Sequence, residues 1–507
     1  MSSRTLQDKI KNFKQFIKEI KYHEEIINMM YWDLRTGAPR GGLKKKSEIM
    51  GAVAKKRLKM IVSNEMNTYL EYFSEFEDLD YITKALLREC KILYKRNINI
   101  PLDKYESYIA LISKAETIRE EAKKKSDFSI VQPYLERIVS YNLEFIELWG
   151  YKENKYNALL GFYEPGMTVK KLDPIFNLLK NKLPSIVTDI KRNMNQPDES
   201  FLYERYDKHK QLKFSQFILK EIGYNFERGR LDESVHPLTL SINSNDIRLT
   251  TRFEHNNIKN SIFATLHEGG HGLYEQNISQ KLSSTLLFEG SSMGIHESQS
   301  RLWENIIGRN LSFWECYYGK LQCLFPEILS SVPVQSFYRA INKVAPSLIR
   351  VNADELTYNL HIMIRYEIEK MLFNKDITVS DLPCIWNDMY KEMLGVTPKN
   401  EAEGILQDGQ WSGGRFGYFP SYSLGNLYAA QIYNVMKKEL GDFDNLIKLG
   451  ELHVIKQWLS EKIYDSGKIY TPEEIILKIS GEELNPQFFI NYLIEKYNNV
   501  YSLNIKV

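Results

Sequence analysis

The sequence predicts a mainly α-helical protein with one small β element, and three observations carry that reading. Apolar residues recur at spacings of three and four along most of the chain, the period of one helix face. Only 16 prolines and 27 glycines interrupt 507 residues, so long helices joined by short turns are expected. Residues 236–253 alternate apolar and polar side chains instead, which is the period of a strand.

Taken in order, Leu6, Ile10, Phe13, Ile17 and Ile20 define an amphipathic first helix, with lysines and acids between them. Similar patterns predict helices over 81–93, 105–122, 176–194, 212–222 and 427–440. His236-Pro237-Leu238-Thr239-Leu240-Ser241-Ile242 and Ile247-Arg248-Leu249-Thr250-Thr251-Arg252-Phe253 flank the polar turn Asn243-Ser244-Asn245-Asp246 and read as a β-hairpin. An edge strand of this kind can recruit an extended peptide or can simply shield the core, and both readings stand. The hairpin ends just before a helix expected over 258–274. Residues 404–425 set glycines among Trp411, Phe416, Tyr418, Phe419 and Tyr422. They lack the Gly-Lys-Ser/Thr ending and preceding strand of a phosphate loop, so a long ordered loop beside a cleft is expected.

Lys plus Arg (67) nearly balance Asp plus Glu (65), which leaves no basic field for nucleic acid or an anionic membrane. The lysine triplets at 44–46 and 123–125 have acids close by and read as solvated helix faces. Cys90, Cys316, Cys323 and Cys384 form no CxxC pair and are too few for a disulfide scaffold, which fits a reducing compartment. The N-terminal segment lacks an apolar signal region, and no apolar run approaches the ~20 residues of a membrane span. A cytoplasmic protein is expected. A length prior of about 150 residues per domain would allow three domains, but no linker is evident. One body over 1–507 is the simpler reading, with two lobes as its variant.

The chemistry lies in His267-Glu268-Gly269-Gly270-His271. On a helix, positions i and i+4 share a face, so both imidazoles can reach one Zn2+ while the glutamate serves as general base. Chance would produce HExxH in such a chain roughly 0.01 times; the alternative is two ordinary helix histidines. A catalytic zinc needs a third protein ligand. Candidates are Glu275, Glu289, His296, Glu297 and Glu304. Glu275 would have to fold back onto its own helix. Glu289 and Glu297 both remain, and the run Ser291-Ser292-Met293-Gly294, which reads as loop passing into helix, favours Glu297. His296 points roughly 100° away from Glu297 on a helix and is a neighbour rather than a ligand.

Several further segments accompany HEGGH: His236-Pro237; Asp246-Ile247-Arg248-Leu249-Thr250; His296-Glu297-Ser298-Gln299-Ser300-Arg301; Ile349-Arg350-Val351-Asn352-Ala353-Asp354-Glu355; Gly404 to Trp411; and Tyr418-Phe419-Pro420-Ser421-Tyr422. Trp32-Asp33 and Tyr163-Glu164-Pro165-Gly166-Met167-Thr168 belong with them. Together they resemble the carboxypeptidase Taq family of zinc metallocarboxypeptidases. The resemblance implies a helical zincin with a deep groove, related to helical oligopeptidases, and a homodimer. It implies His267, His271 and Glu297 as ligands of one Zn2+ per chain, with Co2+ as a possible substitute, and Glu268 as general base and acid. It implies Arg350 as the partner of the substrate's terminal carboxylate, which a guanidinium matches bidentately. Arg248 is either a second substrate contact or a partner of Asp246 that holds the hairpin. Tyr422 could donate to the oxyanion or pack under the loop. The family pattern Gly-x-x-Gln-Asp-x-His-Trp carries Gln410 in place of histidine; as a substrate contact, its amide can still donate to the substrate or intermediate but cannot titrate near neutral pH. Leu238 replaces the usual phenylalanine. The expected activity is removal of single residues from peptides with a free C-terminus. The alternatives are an oligopeptidase or endopeptidase on the same scaffold and a catalytically weak peptide-binding protein.

Overall fold

Helices make up most of residues 3–505, which the computed structural model describes, and the strands form one three-stranded sheet. The periodic segments are helical as expected, over Ser3–Thr36, Tyr81–Ile98, Leu102–Lys125, Val169–Arg192 and Lys208–Glu221; each starts at or before its expected bound, while those expected over 176–194 and 212–222 stop short of their expected ends. One boundary differs in kind. The helix expected from 427 begins at Phe419 and runs to Leu440, so Tyr422 lies on a helix and the irregular segment is shorter than 404–425. Pro420 occupies the first turn, where its missing N–H costs nothing. Most of the residues from Phe419 to Ile432 are buried, and a helix enclosed on every side shows no amphipathic period to read.

The sheet order is β1-β3-β2, with β1 Leu231–Glu233, β2 Leu238–Asn243 and β3 Asp246–Thr251. β2 and β3 form the hairpin, pairing Leu240 with Arg248. β1 runs parallel to β3 with Leu231 opposite Leu249, a strand of three residues too short to show alternation. β2 is an edge strand, but the first helix lies against it: Asn28 Nδ2 donates to the Ser241 carbonyl at 3.0 Å. Part of the edge is therefore already capped.

The helix bearing HEGGH, Ile258–Gln276, packs on β3 and crosses the helix Met293–Arg301. Ser292 caps the latter, its Oγ accepting from Ile295 N at 3.0 Å. Two glycines set its position. A Cβ on Gly270 would lie 2.6 Å from the Gln299 carbonyl oxygen, and one on Gly425 would lie 2.4 Å from Glu297 Cγ. Glycine at both places lets three helices meet almost backbone to backbone. Past Arg301 the chain widens into a π-helix, Leu302–Ile307. Buried apolar residues from Phe13 to Tyr501 form one contiguous core. Among the described residues, no helix is long and apolar enough to cross a membrane.

Candidate metal centre

His267 and His271 project from one helix face toward Glu297 on the crossing helix. Glu297 Oε2 is 3.6 Å from His267 Nε2 and 3.4 Å from His271 Nε2. Ligand bonds of 2.0–2.2 Å in a tetrahedron require edges of roughly 3.3–3.6 Å; both edges from Glu297 meet that, and the three ligand atoms all lie within 4.8 Å of one another. Arg301 Nε donates to the other oxygen of Glu297 at 2.7 Å, and Ser300 Oγ donates to Oε2 at 3.1 Å. These contacts orient the carboxylate.

Each imidazole is also held from behind. Glu304 Oε2 lies 2.9 Å from His267 Nδ1 and also accepts from Arg301 at 3.2 Å. His271 Nδ1 is 2.6 Å from His296 Nδ1, and His296 Nε2 is 2.7 Å from Glu275 Oε1. Glu304 and Glu275, both weighed as ligands, thus stand one step back from the centre. Glu289 pairs with Lys468 at 3.1 Å and lies outside the His-His-Glu group. Glu268 is buried, and Thr239 Oγ1 on β2 donates to its Oε2 at 2.6 Å.

Charge states follow from these surroundings. Burial drives His271 down to about 3, against the pull of Glu297, and keeps the ring neutral as a ligand requires. Burial opposes charge on His267 as well, but Glu297 and Glu304 hold it above the ordinary imidazole value. Glu297 is held well below the carboxylate range: burial opposes ionisation, and Arg301 and His267 outweigh it. Glu304 is lowered to about 2 against the same burial, chiefly by Arg301. Burial raises Glu268 above the ordinary glutamate value, which suits a group that must take up a proton.

A second cluster adjoins the first. Arg350 is buried, and its Nε and Nη2 donate to Asp408 Oδ1 at 3.0 and 2.8 Å while Nη1 donates to Tyr358 OH at 3.0 Å. Arg365, fully buried, donates through Nε to Asp408 Oδ2 at 2.6 Å. Gln407 Oε1 accepts from Arg350 N at 2.9 Å and from Arg365 Nη2 at 3.0 Å. Burial opposes the charge on Asp408, but Arg350 and then Arg365 keep it ionised. The Tyr358 ring lies between the clusters, 4.3 Å from the Arg301 guanidinium and 6.0 Å from that of Arg350.

The Tyr422 ring sits 5.0 Å from the Arg350 guanidinium, and its hydroxyl accepts from Gln410 Nε2 at 3.3 Å. Burial pushes this phenol up to about 12, with Arg350 opposing, so it keeps its proton at neutral pH. Arg248 donates bidentately to Asp246 on its own strand, at 2.8 and 2.7 Å, and lies over the Trp32 ring. Thr239, Asp408, Arg365 and Tyr358 were not singled out from sequence. Glu304 was open to discovery as a support, since seven residues separate it from Glu297 on nearly the same helix face. Glu369 was missed as well: it accepts from Trp411 Nε1 at 2.6 Å and Gly417 N at 2.8 Å, and so fastens the segment that presents Asp408 and Gln410.

A sequence profile of carboxypeptidase Taq (M32) metallopeptidases matches residues 12–497. The chain is 47% identical over 494 residues to carboxypeptidase 1 of Bacillus subtilis (strain 168), covering 97% of this chain and 99% of that one. It is 36% identical to thermostable carboxypeptidase 1 of Thermus thermophilus, covering 97% and 98%. The crystal structure of the M32 carboxypeptidase from Deinococcus radiodurans R1 superposes with a TM-score of 0.95 at 29% identity, covering 98% of this chain and all of that one.

Proposed function

Because this chain belongs to the carboxypeptidase Taq (M32) metallopeptidase family and is a metallocarboxypeptidase, we propose that it uses one Zn2+, held by His267, His271 and Glu297, to release single residues from peptides with a free C-terminus. The observation that carries this reading is a juxtaposition of opposite imbalances. A His-His-Glu group rich in carboxylates adjoins an arginine pair served by one carboxylate. A cation is wanted at the first place, and a peptide's terminal carboxylate fits the second.

Zinc supplies a water acidified toward neutrality and polarisation of the scissile carbonyl; two imidazoles and a carboxylate suit it, and Co2+ suits the same donors. The chain's own residues do the rest. Glu268, buried and raised toward a useful pKa, takes the proton of the attacking water and delivers it to the leaving amine. The neutral Tyr422 phenol donates to the oxygen that gains charge on the scissile carbonyl, and Gln410 fills the phenol's acceptor side. Arg350 orients the terminal carboxylate while Asp408 and Tyr358 hold the guanidinium. Arg248, paired with Asp246 on its own strand and lying over Trp32, keeps the hairpin in register. The reading includes one catalytic domain over 1–507, supported by the contiguous core, and a cytoplasmic homodimer, supported by the cysteine usage and by the family resemblance.

The test is a peptide and its C-terminally amidated twin, incubated with zinc-loaded protein and followed by mass spectrometry. Stepwise shortening of the free peptide alone is expected. Equal internal cleavage of both would replace this reading with the oligopeptidase one.

A further inference from the structure

We propose that His296 is a positioning residue for the metal centre: it accepts the Nδ1 proton of His271 and so fixes that ring in the tautomer whose Nε2 is bare. The inference rests on the assignment of His271 as a metal ligand, and its argument is a proton count. His271 Nδ1 and His296 Nδ1 are 2.6 Å apart, so one proton lies between them. On the far side of His296, Nε2 is 2.7 Å from Glu275 Oε1. A carboxylate has no proton to give, so Nε2 of His296 carries one and donates it. As a ligand, His271 needs a bare Nε2, which it has only when His296 is neutral, and a neutral imidazole protonated at Nε2 has a bare Nδ1. The shared proton therefore belongs to His271 Nδ1, and the lone pair of His271 Nε2 is left facing Glu297 Oε2 at 3.4 Å.

His267 is held at its own Nδ1 by a shorter route, through one carboxylate, Glu304. The chain thus uses two devices to prepare two ligands: a charged acceptor for one, and a neutral imidazole backed by a carboxylate for the other. The His296 ring is clamped for this task. The space over Gly290 is filled by it, since a Cβ there would lie 2.7 Å from His296 Cδ2, and the Tyr274 ring packs 5.2 Å away. Glu275 belongs to the HEGGH helix itself, so the relay returns to the element that carries the ligand it orients.

The chain holds nine histidines, few enough for ring-nitrogen spectra of histidine-labelled protein. Long-range 1H–15N correlation on the metal-free wild type should show His271 protonated at Nδ1 and His296 at Nε2; a His271 ring protonated at Nε2 would overturn the proposal. Zinc affinity, by competition with a chromophoric chelator, should fall roughly 10- to 100-fold in His296→Leu. In His296→Gln, whose amide oxygen can accept the same proton, most of that loss should be recovered. Equal zinc affinity in wild type and His296→Leu would also overturn it. Should His296→Leu fail to fold, Glu275→Ala reads the same relay from its other end and should weaken zinc at least threefold; unchanged affinity there counts against the proposal. No peptide enters these measurements. A protein with the stated tautomers and no carboxypeptidase activity would therefore sink the functional reading and leave this one standing.

Discussion

The candidate metal centre is half-buried and the arginine cluster buried; both are built on charge, and they are opposite in sign. Around the histidines, Arg301 pairs with Glu297 and Glu304 and Arg309 with Glu304, while buried Glu268 adds a third carboxylate, so carboxylates outnumber guanidiniums. Around Asp408 the order is reversed: among the described residues, the ion pairs of Arg350 and Arg365 go to that one carboxylate alone. Unbalanced buried charge is costly unless a partner arrives. Each region is therefore incomplete in the way its ligand would complete it, and Tyr358 stands between them. The difference supports the proposed polarity, with a metal cation at one pole and a peptide's terminal carboxylate at the other.

The comparison can be broken first at its catalytic pole. Glu268→Gln is expected to lower kcat/KM by about 10²- to 10⁴-fold, the usual range for a general base, while keeping zinc at one equivalent by elemental analysis. Loss of the metal together with the activity would show that Glu268 holds the site rather than working in it.

Next in size is the anion-binding pole. Arg350→Gln should raise KM for free peptides by roughly 10²-fold, the value of a charge-assisted bidentate pair of about 3 kcal/mol, with kcat less affected. Equal losses in kcat and KM, or an unaffected KM, would deny Arg350 the carboxylate.

The compensation within each cluster can be tested through stability. Asp408→Asn leaves two buried guanidiniums without a counter-ion and should destabilise by about 3–5 kcal/mol, read from urea denaturation. A change below about 1 kcal/mol would mean that solvent already neutralises the pair.

The smallest effect is a pH dependence away from both clusters. Glu164 accepts from Gly294 N at 3.0 Å and Tyr428 OH at 2.8 Å, tying the start of the Glu297 helix to the Phe419–Leu440 helix. Burial raises it from 4.5 to about 7, against those hydrogen bonds. A raised acid favours the protonated form in the folded state, so this group's contribution is full below pH 4.5 and shrinks as pH climbs to about 7. Glu164→Gln should lack that decline. The difference in unfolding free energy between the two proteins should therefore move by about 1–3 kcal/mol over that window, in favour of the variant at higher pH. A constant difference would mean that Glu164 does not titrate there.

How much of this was legible in the sequence depended on chain distance. HEGGH is local, and its meaning comes from the helical period alone. Glu297 lies beyond a loop and needed the resemblance to be chosen over Glu289, because no period carries across a loop from one helix to the next. Arg365 and Asp408 are 43 residues apart with no shared pattern; only folding brings them together, and a fully buried arginine is not what its residue type suggests. The start of the Phe419 helix was hidden for a related reason: burial on all sides erases the contrast between faces on which such readings depend. Thr239 was in plain view in the hairpin, but a threonine in a strand is ordinary until Glu268, the proposed general base, is found beside it.

In the shorthand HExxH the two middle positions are blanks. Here the second of them, Gly270, is where one helix rests on the backbone of the next, and Gly425 presses on that same helix at Glu297. The distance from Glu297 to the histidines is thus set by how closely main chains can stack, not by the reach of flexible side chains. A gap defined this way behaves like a machined tolerance, with little give toward a larger ion. With the proposed ligands in place, such a gap would favour a small ion over a large one, and donor chemistry would choose among the small ones.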